Sequence, residues 1–147
     1  MKISDFLSAT ETLINFRASD KEQLLQELAG KAATKINLSK DDIVSALLKR
    51  EGLGSTGMGR GVAIPHARFQ NIQEPFGIIA RLKQPIDFDA IDGQLVDIVF
   101  MLLLPTGSEG EQLGALACVA RKLRASDDLV RLRRAKNAPE LYAALTG

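Results

Sequence analysis

A nearly continuous apolar segment, Leu95-Val96-Asp97-Ile98-Val99-Phe100-Met101-Leu102-Leu103-Leu104, sets the architecture of this domain. Such a run is far too short to cross a bilayer and predicts a strand that is covered on both faces. The partly alternating segment Phe76–Leu82 predicts a second strand, and Asp92-Gly93 between the two is a turn signal. Thr12–Phe16 is a candidate third strand. The centre of the predicted fold is therefore a sheet.

Two helical patterns precede these two strands. The first starts at Ser19-Asp20-Lys21-Glu22, which has the spacing of a capping box. The second starts at Ser39-Lys40-Asp41-Asp42 and must end near Arg50, because glycines follow immediately. The predicted buried faces consist of Leu24, Leu28 and Ala32 in the first helix and of Ile43, Leu47 and Leu48 in the second.

Three further helical patterns follow the strands. Ser126-Asp127-Asp128 begins the second of them, and Pro139 suits the first turn of the third. The order of helices, strands and helices predicts an α/β fold in which helices pack on the sheet. Because there is no linker or repeat, residues 1–147 are predicted to form a single domain. The predicted apolar face of the first of these helices consists of Leu113, Leu116, Ala117, Ala120 and Leu123.

The composition excludes several classes of function. A net charge of +1 gives no global field that would attract nucleic acid or a membrane surface. The single cysteine, Cys118, cannot form an internal disulfide, and its place in an apolar helical pattern predicts a small core residue. The segment Met1-Lys2-Ile3-Ser4-Asp5 lacks the apolar stretch of a signal peptide. We therefore expect a soluble, cytoplasmic protein with no membrane insertion.

The segment Gly52-Leu53-Gly54-Ser55-Thr56-Gly57 spells the dinucleotide fingerprint G-x-G-x-x-G, but its context is wrong. That fingerprint follows a strand and opens a helix, whereas here a helix precedes it. The residues that follow contain too many glycines, and a proline, to begin a helix. No lysine is placed as in a P-loop either, so neither nicotinamide nor ATP binding is expected.

The glycines at 52, 54, 57, 59 and 61 instead allow successive N–H groups to point into one concavity, which would bind an anion. Taken alone, they fit a flexible surface loop equally well. Hydroxyl donors on Ser55 and Thr56 and the cations of Arg50, Arg60 and Arg68 favour the anion site, because a phosphoryl group needs such donors.

His66 is the only histidine of the chain and follows this loop directly. Histidine offers a neutral, nucleophilic nitrogen near pH 7, and Pro65 stiffens the backbone that leads to it. A lone histidine on a short extended segment is more often structural than reactive. The loop and the arginines beside it make His66 a candidate phosphoryl acceptor.

Two other charged regions of the sequence do not predict a specific functional site. Asp87-Phe88-Asp89-Ala90-Ile91-Asp92-Gly93 fails the spacing of a calcium loop, and one histidine with one isolated cysteine gives no metal cluster. No metal is expected. The basic C-terminal third predicts a solvated face or a docking surface for an acidic protein, and no aromatic residues interleave for nucleic acid.

Residues 50–66, which read REGLGSTGMGRGVAIPH, closely resemble the phosphorylation-site segment of IIA domains of the fructose/mannitol class. These domains belong to the bacterial phosphoenolpyruvate-dependent phosphotransferase system. Residues 84–97 and 119–123 are similar to the nitrogen-regulatory branch in particular. The resemblance implies a mixed sheet flanked by helices on both faces.

The resemblance also implies the chemistry of the site. His66 would accept a phosphoryl group on Nε2 from a phosphocarrier protein of HPr type, and Arg50 would match the active-site arginine. Ser55, Thr56 and Gly57 would belong to the loop that lines the phosphate. Gln112 stands where a second histidine is common, and it can still donate a hydrogen bond to a phosphoryl oxygen.

The resemblance further implies a phosphotransferase component that acts mainly as a regulator, without a cofactor. Its phosphorylation state would control targets such as a potassium transporter or a sensor kinase. Two alternatives stay open. One is a sugar-specific IIA protein that passes its phosphoryl group to a IIB component. The other is a regulatory binding module that is not phosphorylated.

Overall fold

The computed structural model has an α/β fold, as the sequence predicts. It describes residues 1–107 and 109–147, and the side chains of residues 109, 111 and 112 are not among those described. Two short 3₁₀ helices, Ile3–Asp5 and Ala9–Glu11, open the chain. The described strands are β1 (Thr12–Phe16), β2 (Gly57–Gly59), β3 (Val62–Ala63), β4 (His66–Phe69), β5 (Phe76–Ile86) and β6 (Val96–Pro105). The described helices are α1 (Lys21–Ala33), α2 (Lys40–Glu51), α3 (Glu109–Arg124), α4 (Ser126–Arg134) and α5 (Ala138–Thr146).

The six described strands join one mixed sheet, in which five follow the order β1-β5-β6-β3-β2 and β4 pairs with β6 off this path. The pairs β1–β5, β3–β6 and β4–β6 are parallel, whereas β5–β6 and β2–β3 are antiparallel. Strand β6 pairs with β5 on one side and with β3 and then β4 on the other. The apolar segment is therefore the central strand, and it is buried along nearly its whole length.

Helices cover both faces of the sheet, as the resemblance implies. On one face, α1 and α2 bury a cluster that includes Ala67, Phe69 and Met101 of the sheet. On the other face, α3, α4 and α5 bury a second cluster that includes Ile64, Leu102 and Leu104. Burial of these apolar faces supplies most of the stability of such a layered fold.

Local sequence explains where three helices begin. The carboxylate of Asp20 accepts a hydrogen bond from Gln23 N at 2.8 Å, and Ser39 Oγ accepts one from Asp42 N at 3.1 Å. Asn137 caps α5 in the same way, with Pro139 in the first turn. The predicted start of α2 is confirmed, and so is the start of α4 at Ser126. The capping box predicted from Ser19 to Glu22 is displaced by one residue, because the cap of α1 is Asp20, which bonds to Gln23.

Three predictions of burial are wrong. Helix α3 buries Ala115, Val119 and Leu123, whereas Leu113 of the predicted face is 64% exposed. Ala115, Val119 and Leu123 repeat at a spacing of four residues and form a second apolar stripe beside the predicted one. Leu48 is exposed, and Cys118 is half-buried and donates to the carbonyl of Met1. None of the described helices is both long enough and apolar enough to cross a membrane.

Candidate functional site

His66 is the first residue of β4, at the point where the chain leaves Pro65. The amide of Leu102 on β6 donates to the carbonyl of Pro65 at 2.9 Å, and His66 pairs with Leu102 in register. Paired residues of neighbouring strands point to the same face of a sheet. His66 therefore lies half-buried on the face that α3, α4 and α5 cover, close to the carboxyl end of the central strand.

One hydrogen bond fixes the tautomer of the imidazole. His66 Nδ1 lies 2.9 Å from the carbonyl oxygen of Ile64. A carbonyl oxygen only accepts, so Nδ1 carries the proton and donates it to Ile64. In the neutral ring, Nε2 then holds the lone pair. The nitrogen that points away from the backbone is the nucleophilic one.

The surroundings of His66 keep its ring neutral. Burial lowers the pKa of His66 below its ordinary value, and the cations of Arg50 and Arg68 lower it further. The hydrogen bond to Ile64 and the carboxylate of Glu51 act in the opposite direction and raise the pKa. Because the net shift is downward, the unprotonated ring is the main species at pH 7.

The three arginines predicted to surround the site do not act together. Arg50, in the last turn of α2, donates from Nη1 to the carbonyl of Gly54 at 2.8 Å, which places its cation on the glycine loop. Arg68 lies two residues beyond His66 on the same strand. The guanidinium of Arg60 instead reaches the carbonyl of Arg124 at 3.1 Å, at the end of α3. The guanidinium of Arg60 therefore stabilises the contact between the glycine loop and the C-terminal helices.

Most amides of the glycine loop are already occupied. The N–H groups of residues 52, 53 and 54 donate to carbonyls of α2. Thr56 N donates to a carboxylate oxygen of Glu51 at 3.1 Å, and Gly57 N donates to Ser55 Oγ at 3.0 Å. These five amides do not form the open anion nest that the glycines predict. The loop is hydrogen-bonded into the fold and is not a loose surface segment.

The hydroxyls of Ser55 and Thr56 are engaged as well. Ser55 Oγ donates to the carbonyl of Phe88 at 2.7 Å, and Thr56 Oγ1 donates to Glu51. Contact of these groups with a phosphoryl oxygen therefore stays a prediction that requires an exchange of hydrogen bonds. Gln112 belongs to α3, but its side chain lies outside the described residues, so its predicted role also stays open.

Gly57 is required by close packing rather than by a special backbone angle. A Cβ at this position would lie 2.8 Å from both Cα and Cβ of Ala90. The carbonyl of Gly57 also accepts a hydrogen bond from Ile91 N at 3.3 Å. The loop is thus pressed against the segment that precedes β6, and a side chain at position 57 would separate the two.

A role for Glu51 and Lys21 is not predicted from the sequence. Their ion pair supports the glycine loop from the ends of α2 and α1. The side chain of Glu51 is 5% exposed and pairs with Lys21 Nζ at 2.9 Å. A glutamate in the last turn of a helix and a lysine in the first turn both oppose the helix dipole. Besides the place of Glu51 in the segment 50–66, this double mismatch is a signal in the sequence, and it can be interpreted once the two helices are known to meet.

Comparison with known proteins shows the family to which the chain belongs. Residues 5–147 match the family described as "Phosphoenolpyruvate-dependent sugar phosphotransferase system, EIIA 2". The chain is 43% identical over 145 residues to a nitrogen regulatory protein of Bradyrhizobium diazoefficiens, covering 99% of this chain and 95% of that protein. It is 36% identical over 143 residues to a nitrogen regulatory protein of Pseudomonas aeruginosa, covering 97% and 93%.

A solved structure extends the likeness to three dimensions. The nitrogen regulatory protein IIA-Ntr from Neisseria meningitidis superposes with a TM-score of 0.92 at 34% sequence identity. The match covers 98% of this chain and 99% of that one. The similarity therefore spans the sheet, both helical layers and the loop before His66.

Proposed function

Because this chain belongs to the EIIA 2 family of the phosphoenolpyruvate-dependent sugar phosphotransferase system, we propose that it accepts a phosphoryl group on Nε2 of His66. The donor is a phosphohistidine of an HPr-type carrier protein. The phosphorylation state of His66 then controls regulatory target proteins, such as a potassium transporter or a sensor kinase. The relatives named nitrogen regulatory protein support the regulatory branch over a sugar-specific role.

The observation that carries this proposal is the bond from His66 Nδ1 to the Ile64 carbonyl. It leaves the lone pair on Nε2, and the lowered pKa of His66 keeps that lone pair unprotonated at pH 7. The lone pair attacks phosphorus in line and forms the new P–N bond. The P–N bond of the donor breaks, and its electron pair returns to the imidazole of the donor. The proton of His66 stays on Nδ1 throughout, and Nδ1 keeps donating it to the Ile64 carbonyl oxygen.

Charge stabilisation is the main contribution of the other groups, since phosphoryl transfer needs little covalent help. Arg50 is held on the glycine loop by its bond to Gly54. From there, we assign its guanidinium to the equatorial oxygens of the transferring group. Contacts from Ser55, Thr56, Gly57 and Gln112 belong to the same proposal.

The test is phosphorylation in a purified system. The protein is incubated with phosphoenolpyruvate, the first enzyme of the system and an HPr-type carrier, and its mass is measured intact. We expect one acid-labile phosphoryl group on the wild type and none on His66→Ala. A wild type that stays unmodified would favour a pure binding module. Labelling that persists in His66→Ala would contradict the assignment of the acceptor.

A second step separates the regulatory role from sugar transport. The phosphorylated protein is mixed with a IIB component of the fructose/mannitol class. We expect the phosphoryl group to stay on His66, because the similar relatives are regulatory proteins. Rapid transfer to IIB would favour the sugar-specific alternative.

A further inference from the structure

We propose that the ion pair between half-buried Lys21 and buried Glu51 positions His66 through a chain of hydrogen bonds that runs through Thr56 and Ile64. This inference rests on the proposed function, because it explains how the nucleophilic Nε2 is presented. Glu51 acts through its neighbours and is a positioning residue, not a catalytic one.

The first part of the chain fixes Thr56. Glu51 Oε1 accepts from Lys21 Nζ at 2.9 Å and from Thr56 N at 3.1 Å, and Glu51 Oε2 accepts from Thr56 Oγ1. The side chain of Glu51 is 5% exposed, and Thr56 is 7% exposed. Charge-assisted bonds in such a dry environment are strong and costly to break. Both donors of Thr56 are therefore tied to the end of α2.

The second part of the chain of hydrogen bonds links Thr56 to the imidazole of His66. The carbonyl of Thr56 accepts from Ile64 N at 3.1 Å, and the carbonyl of Ile64 accepts from His66 Nδ1 at 2.9 Å. Between these two bonds the backbone has little freedom, because Ile64 precedes Pro65 and is buried. The direction of the Ile64 carbonyl, and with it the tautomer of His66, follows from where Thr56 is held.

The placement of Lys21 supports this role. Lys21 is the first residue of α1, where a cation opposes the helix dipole. Its ammonium lies 4.6 Å from the centre of the Phe88 ring and 3.5 Å from the Phe88 carbonyl, which also accepts from Ser55 Oγ at 2.7 Å. Lys21 thus holds both sides of the loop, through Glu51 on one side and through Phe88 on the other.

The test reads the tautomer of His66 directly. Because the chain has one histidine, the ¹⁵N and ¹³C shifts of the imidazole need no assignment, and they are recorded at about pH 8, where the ring is neutral. Thr56→Val removes the hydroxyl, Thr56→Ser restores it, and Glu51→Gln removes the charge. Thr12→Val is the matched control. Thr12 is also buried and donates its hydroxyl to the carbonyl of Ser8, but it lies on β1, away from the chain of bonds.

We expect the Nδ1–H tautomer in the wild type, in Thr56→Ser and in Thr12→Val. Thr56→Val and Glu51→Gln should shift the ring toward Nε2–H and slow phosphorylation by the carrier about fivefold. If Glu51→Gln does not fold, Thr56→Val decides alone.

The inference is overturned if folded Thr56→Val keeps the wild-type tautomer, whatever its rate of phosphorylation, or if Thr12→Val changes the tautomer equally. A wild type that no carrier phosphorylates would refute the proposed function, whereas the tautomer measurement would still decide this inference.

Discussion

Replacement of Gly57 by alanine tests whether the loop before His66 is packed or open. The new Cβ would lie 2.8 Å from Cα and Cβ of Ala90 and 3.2 Å from Ser55 Oγ. A backbone atom cannot rotate out of the way, so the segments around residues 57 and 90 must separate. Overpacking of this kind costs about 3 kcal/mol, at the upper end of its usual range. The reduced freedom of the unfolded chain returns about 0.5–1 kcal/mol.

The net expectation for Gly57→Ala is a loss of about 2 kcal/mol of unfolding free energy, or about 4–8 °C in Tm for a chain of this size. Gly30→Ala is the matched control, because Gly30 lies inside α1 and a Cβ there would meet only the side chain of Lys40, at ordinary distances of 3.7 Å to Cδ and 3.8 Å to Cε. It should stabilise the protein by about 0.5–1 kcal/mol. Both are measured by urea and thermal unfolding.

The central expectation is that the change from glycine to alanine lowers the free energy of unfolding at position 57 and raises it at position 30. If Gly57→Ala is as stable as the wild type, or gains stability as Gly30→Ala does, the close approach to Ala90 does not exist. The glycines would then serve an open loop, and the packed geometry described here would be refuted.

Three further predictions concern the site and the core. Arg50→Ala should slow phosphoryl acceptance about 100- to 1000-fold and raise the pKa of His66, whereas Arg60→Ala should change neither, as measured by carrier-dependent phosphorylation and NMR titration. Since the pKa of His66 lies below its unfolded value of about 6.5, protonation favours the unfolded chain. The stability of the wild type should therefore fall as pH falls below about 6.5 through the folded pKa, and urea unfolding of His66→Gln should lack that part of the decline. Phe100→Ala should cost about 3–5 kcal/mol in urea unfolding, because its buried ring packs edge-on against Phe6 with centroids 6.1 Å apart; a loss below about 1 kcal/mol would contradict this packing.

Local patterns predict those parts of the fold that local interactions form. The apolar run of β6 and the cap at Ser39 are properties of short segments, so their positions could be predicted from the sequence, and the cap of α1 was displaced by only one residue, from Ser19 to Asp20. Strands β2 and β4 could not be predicted in this way. Both are four residues or fewer, and β4 exists because its backbone pairs with β6, whose residues lie about thirty-six positions away, as His66 with Leu102.

The residues of the site also fall into those that a short sequence motif predicts and those that depend on tertiary contacts. His66 and Arg50 stand out in one contiguous motif, and the structure brings both to the glycine loop. The support from Lys21 could not be predicted, because it depends on where α1 and α2 meet. Lys21 and Glu51 stand at helix ends where their charges oppose the helix dipoles, which is visible in the sequence. The ion pair between them explains why these charges are placed there. Arg60 shows the reverse case, since proximity in sequence to His66 suggested a role that its guanidinium does not take.

The most direct test is to locate the phosphoryl group on the imidazole. The protein is labelled with ¹⁵N, phosphorylated by the carrier system, and examined by ³¹P–¹⁵N NMR at the single histidine. Coupling of phosphorus to Nε2, with the proton retained on Nδ1, is the expected result. Coupling to Nδ1, or a phosphoryl group on any other residue, would contradict the role assigned to the bond between His66 and Ile64.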